Sequence, residues 1–148
     1  MESEADIIAR RAVQFRHNPL GWAKWAYGWG DGELARHQGP RAWQAGILDD
    51  IGCHLKAKET RHKPLRIAVA SGHGVGKSAL VGMVLDWGMS TVRDTRAVIT
   101  ANTENQLRTK TWPEVSKWVR GAINADWWSV PAMSVYSADA QHEKSWRA

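Results

Sequence analysis

Helical spacing of apolar residues, or a helix start signal, marks five stretches of this chain. Ser3 is a suitable N-cap for the first stretch, and Asn18-Pro19 ends it. Two later stretches open with a proline near their first turn, where the fixed φ and missing N–H of proline are tolerated. These patterns predict helices over residues 3–16, 19–27, 40–58, 77–92 and 111–124.

Three short apolar runs predict β-strands. Residues 65–70 are nearly all apolar, which is typical of a central parallel strand covered on both faces. A second run covers 95–101, and a third covers 133–137. A strand, a helix and a strand in this order form a right-handed crossover unit. The sequence therefore predicts an α/β fold with a parallel sheet flanked by helices, in which residues 1–62 form an N-terminal helical segment and residues 63–148 the core.

Between the first predicted strand and its helix lies a glycine-rich segment that ends in Gly-Lys-Ser. Glycines give the backbone access to positive φ, so that successive N–H groups can form a nest for anions at the start of a helix. In such a phosphate-binding loop, Lys77 reaches the β- and γ-phosphates and the Ser78 hydroxyl binds Mg²⁺. We therefore expect ATP and Mg²⁺ as ligands, with Lys77 as the catalytic residue. The expected contacts come from Ser71, Gly72, His73, Gly74, Val75, Gly76, Lys77, Ser78 and Ala79.

The loop departs from the strict pattern G-x-x-x-x-G-K-[ST] at its first position, where this chain has Ser71. Gly72 and Gly74 still supply the backbone freedom that the mechanism requires. An ordinary glycine-rich turn is the alternative interpretation. The context of strand, loop and helix favours the phosphate-binding loop.

Composition and charge limit the possible classes of protein. The chain has 148 residues, 43% of them hydrophobic, and a net charge of +5, which permits a nucleic-acid partner. It has no run of about 18 apolar residues that would suggest a membrane span, and its acidic N-terminus lacks the order of a secretory signal. The single Cys53 fits a reducing, cytoplasmic compartment, and its predicted helix favours a buried, inert thiol.

Three groups of residues allow either nucleic-acid binding or an ordinary structural role. The aromatic residues between 22 and 29 can stack on nucleic-acid bases, but packing of the N-terminal segment onto the core is favoured. The basic group between Lys56 and Lys63 is favoured as a solvated linker. Arg108 and Lys110 can meet DNA phosphates, although a solvated helix face is the favoured interpretation there too.

A triphosphate hydrolase also needs a carboxylate at the end of an apolar strand to hold Mg²⁺. Apolar runs end in Asp49-Asp50 and in Asp86, but both lie on predicted helices, so we reject them as metal ligands. After Ala138 no further apolar strand is present. We therefore expect these residues to be the front portion of a longer ATPase.

Four segments of the chain carry a resemblance to a known family. They are Asn18–Trp22, Pro40–Gln44, Ala70–Ser78 and Thr100–Trp112. Together these segments resemble phage terminase large subunits.

The resemblance implies an ATP-driven motor with a RecA-like ATPase domain and a following nuclease domain. Such motors thread double-stranded DNA into viral capsids in the bacterial cytoplasm, as homo-oligomeric rings that work with a portal protein and a terminase small subunit and without a membrane. By position, Gln44 matches the glutamine thought to read the adenine edge. The segment Thr100–Gln106 matches the motif that links the nucleotide pocket to DNA movement, and His73 stands where several terminases carry an arginine.

Two other interpretations remain open at this point. A small P-loop kinase would need an acceptor site and an arginine-rich lid, and neither is evident in the sequence. A truncated prophage remnant, or an oligomerising module, would bind nucleotide for structure only.

Overall fold

The computed structural model describes residues 2–148, and it is built mainly from helices. The five predicted helices are present, each one to four residues shorter at an end than predicted. Ser3 caps the first helix by accepting a hydrogen bond from the Asp6 N–H, and Asn18 caps the second through the Gly21 N–H. The five are α1 (Glu4–Val13), α2 (Pro19–Ala26), α3 (Ala42–Lys56), α4 (Lys77–Thr91) and α6 (Trp112–Arg120). A further short helix, α5 (Glu104–Gln106), precedes α6.

The predicted parallel sheet is wrong. Within residues 2–148, β1 (Trp128–Ser129) pairs with β2 (Tyr136–Ser137) in a two-stranded antiparallel sheet. The only parallel β-bridge in this part of the chain is an isolated one between Arg96 and Arg147. Residues 65–70 and 95–101 form no strand. The fold is therefore not a RecA-like P-loop ATPase fold.

The predicted sheet does not form because, among residues 2–148, these segments lack neighbouring strands. A central strand needs neighbours on both sides to satisfy its backbone N–H and C=O groups. Along 65–70 no described residue supplies a neighbour, and the side chains of Leu65, Ile67 and Val69 stay between 37% and 45% exposed. Val98 is 89% exposed for the same reason. The apolar pattern indicates that these segments are suited to a sheet. It does not provide the neighbouring strands that a sheet requires.

Two hydrophobic clusters hold the helices together, and α4 contributes to both. The first cluster joins α1, α2 and α3 to α4, so residues on both sides of the predicted boundary at 62–63 share one core. The second packs α4 against α6 and the β1–β2 pair. The first includes Ala12, Trp22, Leu48, Leu80 and Met83, and the second includes Leu85, Met89, Val115, Val119 and Val135.

The N-terminal aromatic segment packs into the core, as the favoured interpretation predicts. Trp22 is fully buried, and Tyr27 meets Trp118 of α6 edge-to-face with ring centroids 4.9 Å apart. Edge-to-face pairs of aromatic rings stabilise a fold by more than the burial of their surface area alone. These two rings are therefore not available to stack on bases.

The prediction that Cys53 is buried is wrong, because its side chain is exposed. On α3 the buried positions are Gln44, Leu48 and Gly52, which follow one another at a spacing of four. Cys53 therefore falls on a different side of the helix from this buried row.

The basic group between Lys56 and Lys63 is also exposed. Among residues 2–148, no helix combines the length and the apolar character needed to cross a bilayer.

Candidate functional site at the glycine-rich loop

The glycine-rich loop leads directly into the N-terminus of α4, which begins at Lys77. Gly74 has φ of +70° and Gly76, the N-cap of the helix, has φ of +92°. Both values lie in the left-handed region that favours glycine. The first N–H groups of this 15-residue helix have no partner within the helix, so they are donors for an anion placed at the loop.

The start of α3 fastens the loop from one side. Gln44 is 4% exposed, and its Nε2 donates to the Gly76 carbonyl at 2.8 Å while its Oε1 accepts from the Arg41 N–H at 2.9 Å. Trp43 donates its indole N–H to the Val75 carbonyl at 3.2 Å. Two neighbouring side chains of α3 therefore fix the last turn of the loop before α4.

The amine of Lys77 lies over the loop rather than under apolar side chains. It donates to the carbonyl oxygens of Ser71 and Gly72 at 3.0 and 2.6 Å, and to the Ser71 hydroxyl at 3.1 Å. Ser71, the residue that departs from the strict motif, thus supplies two of these three acceptors. The positive charge of Lys77 therefore lies next to the N-terminus of α4. The charge and the positive end of the helix dipole both favour an anion there.

A cleft of about 610 Å³ opens beside the loop, a size typical of small-molecule sites. Its walls come from residues 73–79, the start of α3, the segment 29–39, and the continuous helical stretch 106–118. His73, which is exposed, and Ser78, which is half-buried, both face this cleft. Ser71 and Gly72 are exposed and lie outside the lining.

The cleft carries charges of both signs. Arg41, Lys77, Lys110 and Lys117 line it together with Glu33 and Glu114. Lys117 donates to Glu33 at 2.7 Å, and this hydrogen bond raises the pKa of its amine. Glu114 accepts from the Trp118 indole N–H at 3.0 Å. The acidic groups therefore already have partners on the α6 side of the cleft.

The donor set suits a polyphosphate better than a bare metal ion. Within residues 2–148, no group of three or more His, Cys, Asp and Glu side chains is arranged to hold a metal. The Ser78 hydroxyl, at the start of α4, would supply one oxygen of the kind that Mg²⁺ uses alongside phosphate oxygens and water. The residues present thus fit a magnesium–polyphosphate complex in which the ligand itself supplies most of the metal's oxygens.

Asp86 lies on α4, as predicted, and it faces away from the loop into the core. The carboxylate is fully buried and accepts from the Trp22 indole N–H and the Tyr27 hydroxyl, both at 2.9 Å. Burial raises its pKa from 3.8 to about 7. Asp86 therefore ties the N-terminal helices to the loop-bearing helix. Sequence reasoning rejected it as a metal ligand but missed this role.

The sequence pattern indicates the loop residues, and the fold adds three others: Trp43, which bonds to Val75, and Arg41 and Lys110, which line the cleft. The sequence predicts Trp43 as one apolar position of a helix and favours a solvated helix face for Lys110, and it gives Arg41 no role beyond its place in the resembling segment Pro40–Gln44. No local signal shows that these side chains lie near the loop, because they belong to segments that are far from it along the chain.

Comparison with protein-family models, curated proteins and solved structures gives no match for this chain.

Proposed function

We propose that this protein binds a nucleoside triphosphate, as its magnesium complex, at the loop from Ser71 to Ala79. The observation that carries the proposal is the position of the Lys77 amine, which lies over the loop at the start of α4. Two left-handed glycines and an open helix N-terminus stand at the same point. Together they form a positive, concave surface of the kind that binds phosphate groups.

Each residue has a definite task in this proposal. Lys77 exchanges the neutral oxygens of Ser71 and Gly72 for charged phosphate oxygens, which are stronger acceptors. Ser78 ligates Mg²⁺, which offsets the charge of the phosphates. The carbonyl oxygen of the Gln44 amide and one of its N–H groups are already used on the protein, so one N–H remains for the adenine edge. Adenine recognition by Gln44 stays a prediction from the family resemblance.

The wider role that we propose is the ATP-binding part of a terminase large subunit that packages double-stranded DNA. Because the predicted parallel sheet is wrong, this role rests on the sequence motifs and on the loop chemistry. The exposed basic group between Lys56 and Lys63 is a surface suited to DNA phosphates. The portal protein, the small subunit and ring assembly follow from the resemblance alone.

Nucleotide binding is tested by titrating a fluorescent ATP analogue with Mg²⁺ into the wild-type protein and the Lys77→Ala variant. We expect at least tenfold weaker binding by the variant, since it loses a charge-assisted bond to phosphate. Lys24→Ala is the matched control, because Lys24 is an exposed lysine of α2 outside the cleft. Equal affinity of wild type and Lys77→Ala would contradict the assignment of the loop.

DNA binding is tested by the salt dependence of association with duplex DNA. We expect the logarithm of the binding constant to fall linearly with the logarithm of the salt concentration. The double variant Lys56→Ala/Lys58→Ala should show a shallower slope, by about one to two, than Arg16→Ala/Lys24→Ala, whose exposed cations lie elsewhere on the surface. A salt-independent association would rule out phosphate contacts.

A further inference from the structure

The helical stretch opposite the loop contains one irregular turn. Residues Leu107–Thr111, between α5 and α6, form a π-helical turn in which the Trp112 N–H donates to the Leu107 carbonyl. Such a turn holds one residue more than an α-helical turn and so re-aims the side chains around it, and it occurs frequently at functional sites. Lys110 lies within this turn.

The packing of α6 on α4 explains why this turn reaches the cleft. Gly82 faces Trp118, because a Cβ atom at Gly82 would lie 2.9 Å from the Trp118 Cβ. Further along, Asn124 donates to the Ser90 hydroxyl at 2.9 Å. These two contacts advance along both segments together, so the chain runs in the same direction in both. Followed back toward the start of α4, this register sets Lys110 beside the loop, and both line the cleft.

Of the four cations that line the cleft, Arg41 and Lys110 have no side-chain partner among residues 2–148, and of these two only Lys110 lies on the helical stretch 106–118. Lys117 is bound to Glu33, and Lys77 is bound to oxygens of the loop. Arg108, two residues before Lys110, pairs with Glu104 at 2.6 Å. The amine of Lys110 makes no hydrogen bond or ion pair with any of residues 2–148, and its side chain is exposed. It is therefore an exposed charge without a protein partner, on the wall of the cleft formed by the stretch 106–118.

We propose that Lys110 contacts the terminal phosphate of the bound triphosphate, from the side of the cleft opposite Lys77. The inference rests on the proposed nucleotide site and deepens it. Lysine suits this task because its ammonium is a compact point charge on a flexible stem. A diphosphate lacks the group that Lys110 reaches, so this residue makes the site prefer triphosphates to diphosphates.

The experiment compares the affinities for ATP and ADP analogues that carry the same fluorophore on the ribose. Wild type, Lys110→Ala and the control Arg108→Ala are titrated with each analogue at fixed Mg²⁺ and salt. We expect Lys110→Ala to bind the ATP analogue roughly tenfold more weakly, the usual scale for one charge-assisted bond. Binding of the ADP analogue should stay within about twofold, and Arg108→Ala should leave both affinities unchanged.

A second variant, Lys110→Met, keeps the length of the side chain without its charge and should behave as Lys110→Ala does. Helical circular dichroism of each variant checks that the fold is retained. An unchanged ATP affinity in both variants, or equal losses for ATP and ADP, overturns the role of Lys110 while leaving the loop assignment in place. Absence of nucleotide binding by the wild type, or an unaltered affinity of Lys77→Ala, overturns the proposed function itself.

Discussion

Raising the pH from 4 to 8 is expected to lower the free energy of unfolding through Asp86, and Asp86→Asn is expected to remove this loss. Burial raises the pKa of the Asp86 carboxyl from 3.8 to about 7, so the folded protein keeps the proton at pH values where the unfolded chain releases it. The contribution to stability is fully present below about pH 4 and is lost as the pH rises through 7. A shift of this size corresponds to roughly 4 kcal/mol.

The asparagine amide can replace the protonated carboxyl in its contacts. Its oxygen can accept from the Trp22 indole N–H and the Tyr27 hydroxyl, which now donate to the same carboxylate oxygen. At pH 8 the variant should therefore be more stable than the wild type, whereas at pH 4 the two should be similar. Urea unfolding at several pH values between 4 and 8 measures the difference.

Asp49→Asn is the control for this experiment, because Asp49 is an exposed carboxylate on α3. It should leave the pH dependence of the wild type unchanged. If Asp86→Asn and the wild type lose the same stability between pH 4 and 8, Asp86 does not hold its proton in the folded state. The buried contacts with Trp22 and Tyr27 would then have to form with a charged carboxylate at neutral pH.

Gly76→Ala is expected to destabilise the protein by about 2–3 kcal/mol and to weaken nucleotide binding at least tenfold. The left-handed φ of +92° costs a residue with a Cβ about 1–2 kcal/mol. The added Cβ would also lie 2.7 Å from the Gln44 Nε2, so the bond from that amide to the Gly76 carbonyl must shift, at a cost of about 1 kcal/mol. Urea unfolding and titration with the ATP analogue measure the two effects.

Gly72→Ala provides the comparison within the same loop. Gly72 has no positive φ, and a Cβ there would meet nothing within 4 Å, so its stability should change by less than about 0.5 kcal/mol. Similar losses of stability in the two variants would mean that the clamp from Gln44 does not set the conformation of the loop.

The contrast between helices and strands in this chain follows from the range of the interactions that form them. The helix caps at Ser3 and Asn18 act within three residues, so the sequence pattern predicts where α1 and α2 begin. The segments 65–70 and 95–101 carry equally clear apolar patterns, but strand hydrogen bonds must come from another segment. Within residues 2–148 they do not pair into strands, and the predicted sheet is wrong.

By itself the sequence determined the glycine-rich loop, the lysine and serine that follow it, and the helix that begins there, because backbone freedom and helix initiation are local properties. Tertiary structure alone decided that Gln44 and Trp43 clamp the loop, that Asp86 accepts from two buried aromatic donors, and that Lys110 faces the cleft. These contacts join residues more than thirty positions apart. They depend on how α3, α4 and α6 pack, which no spacing along the chain encodes.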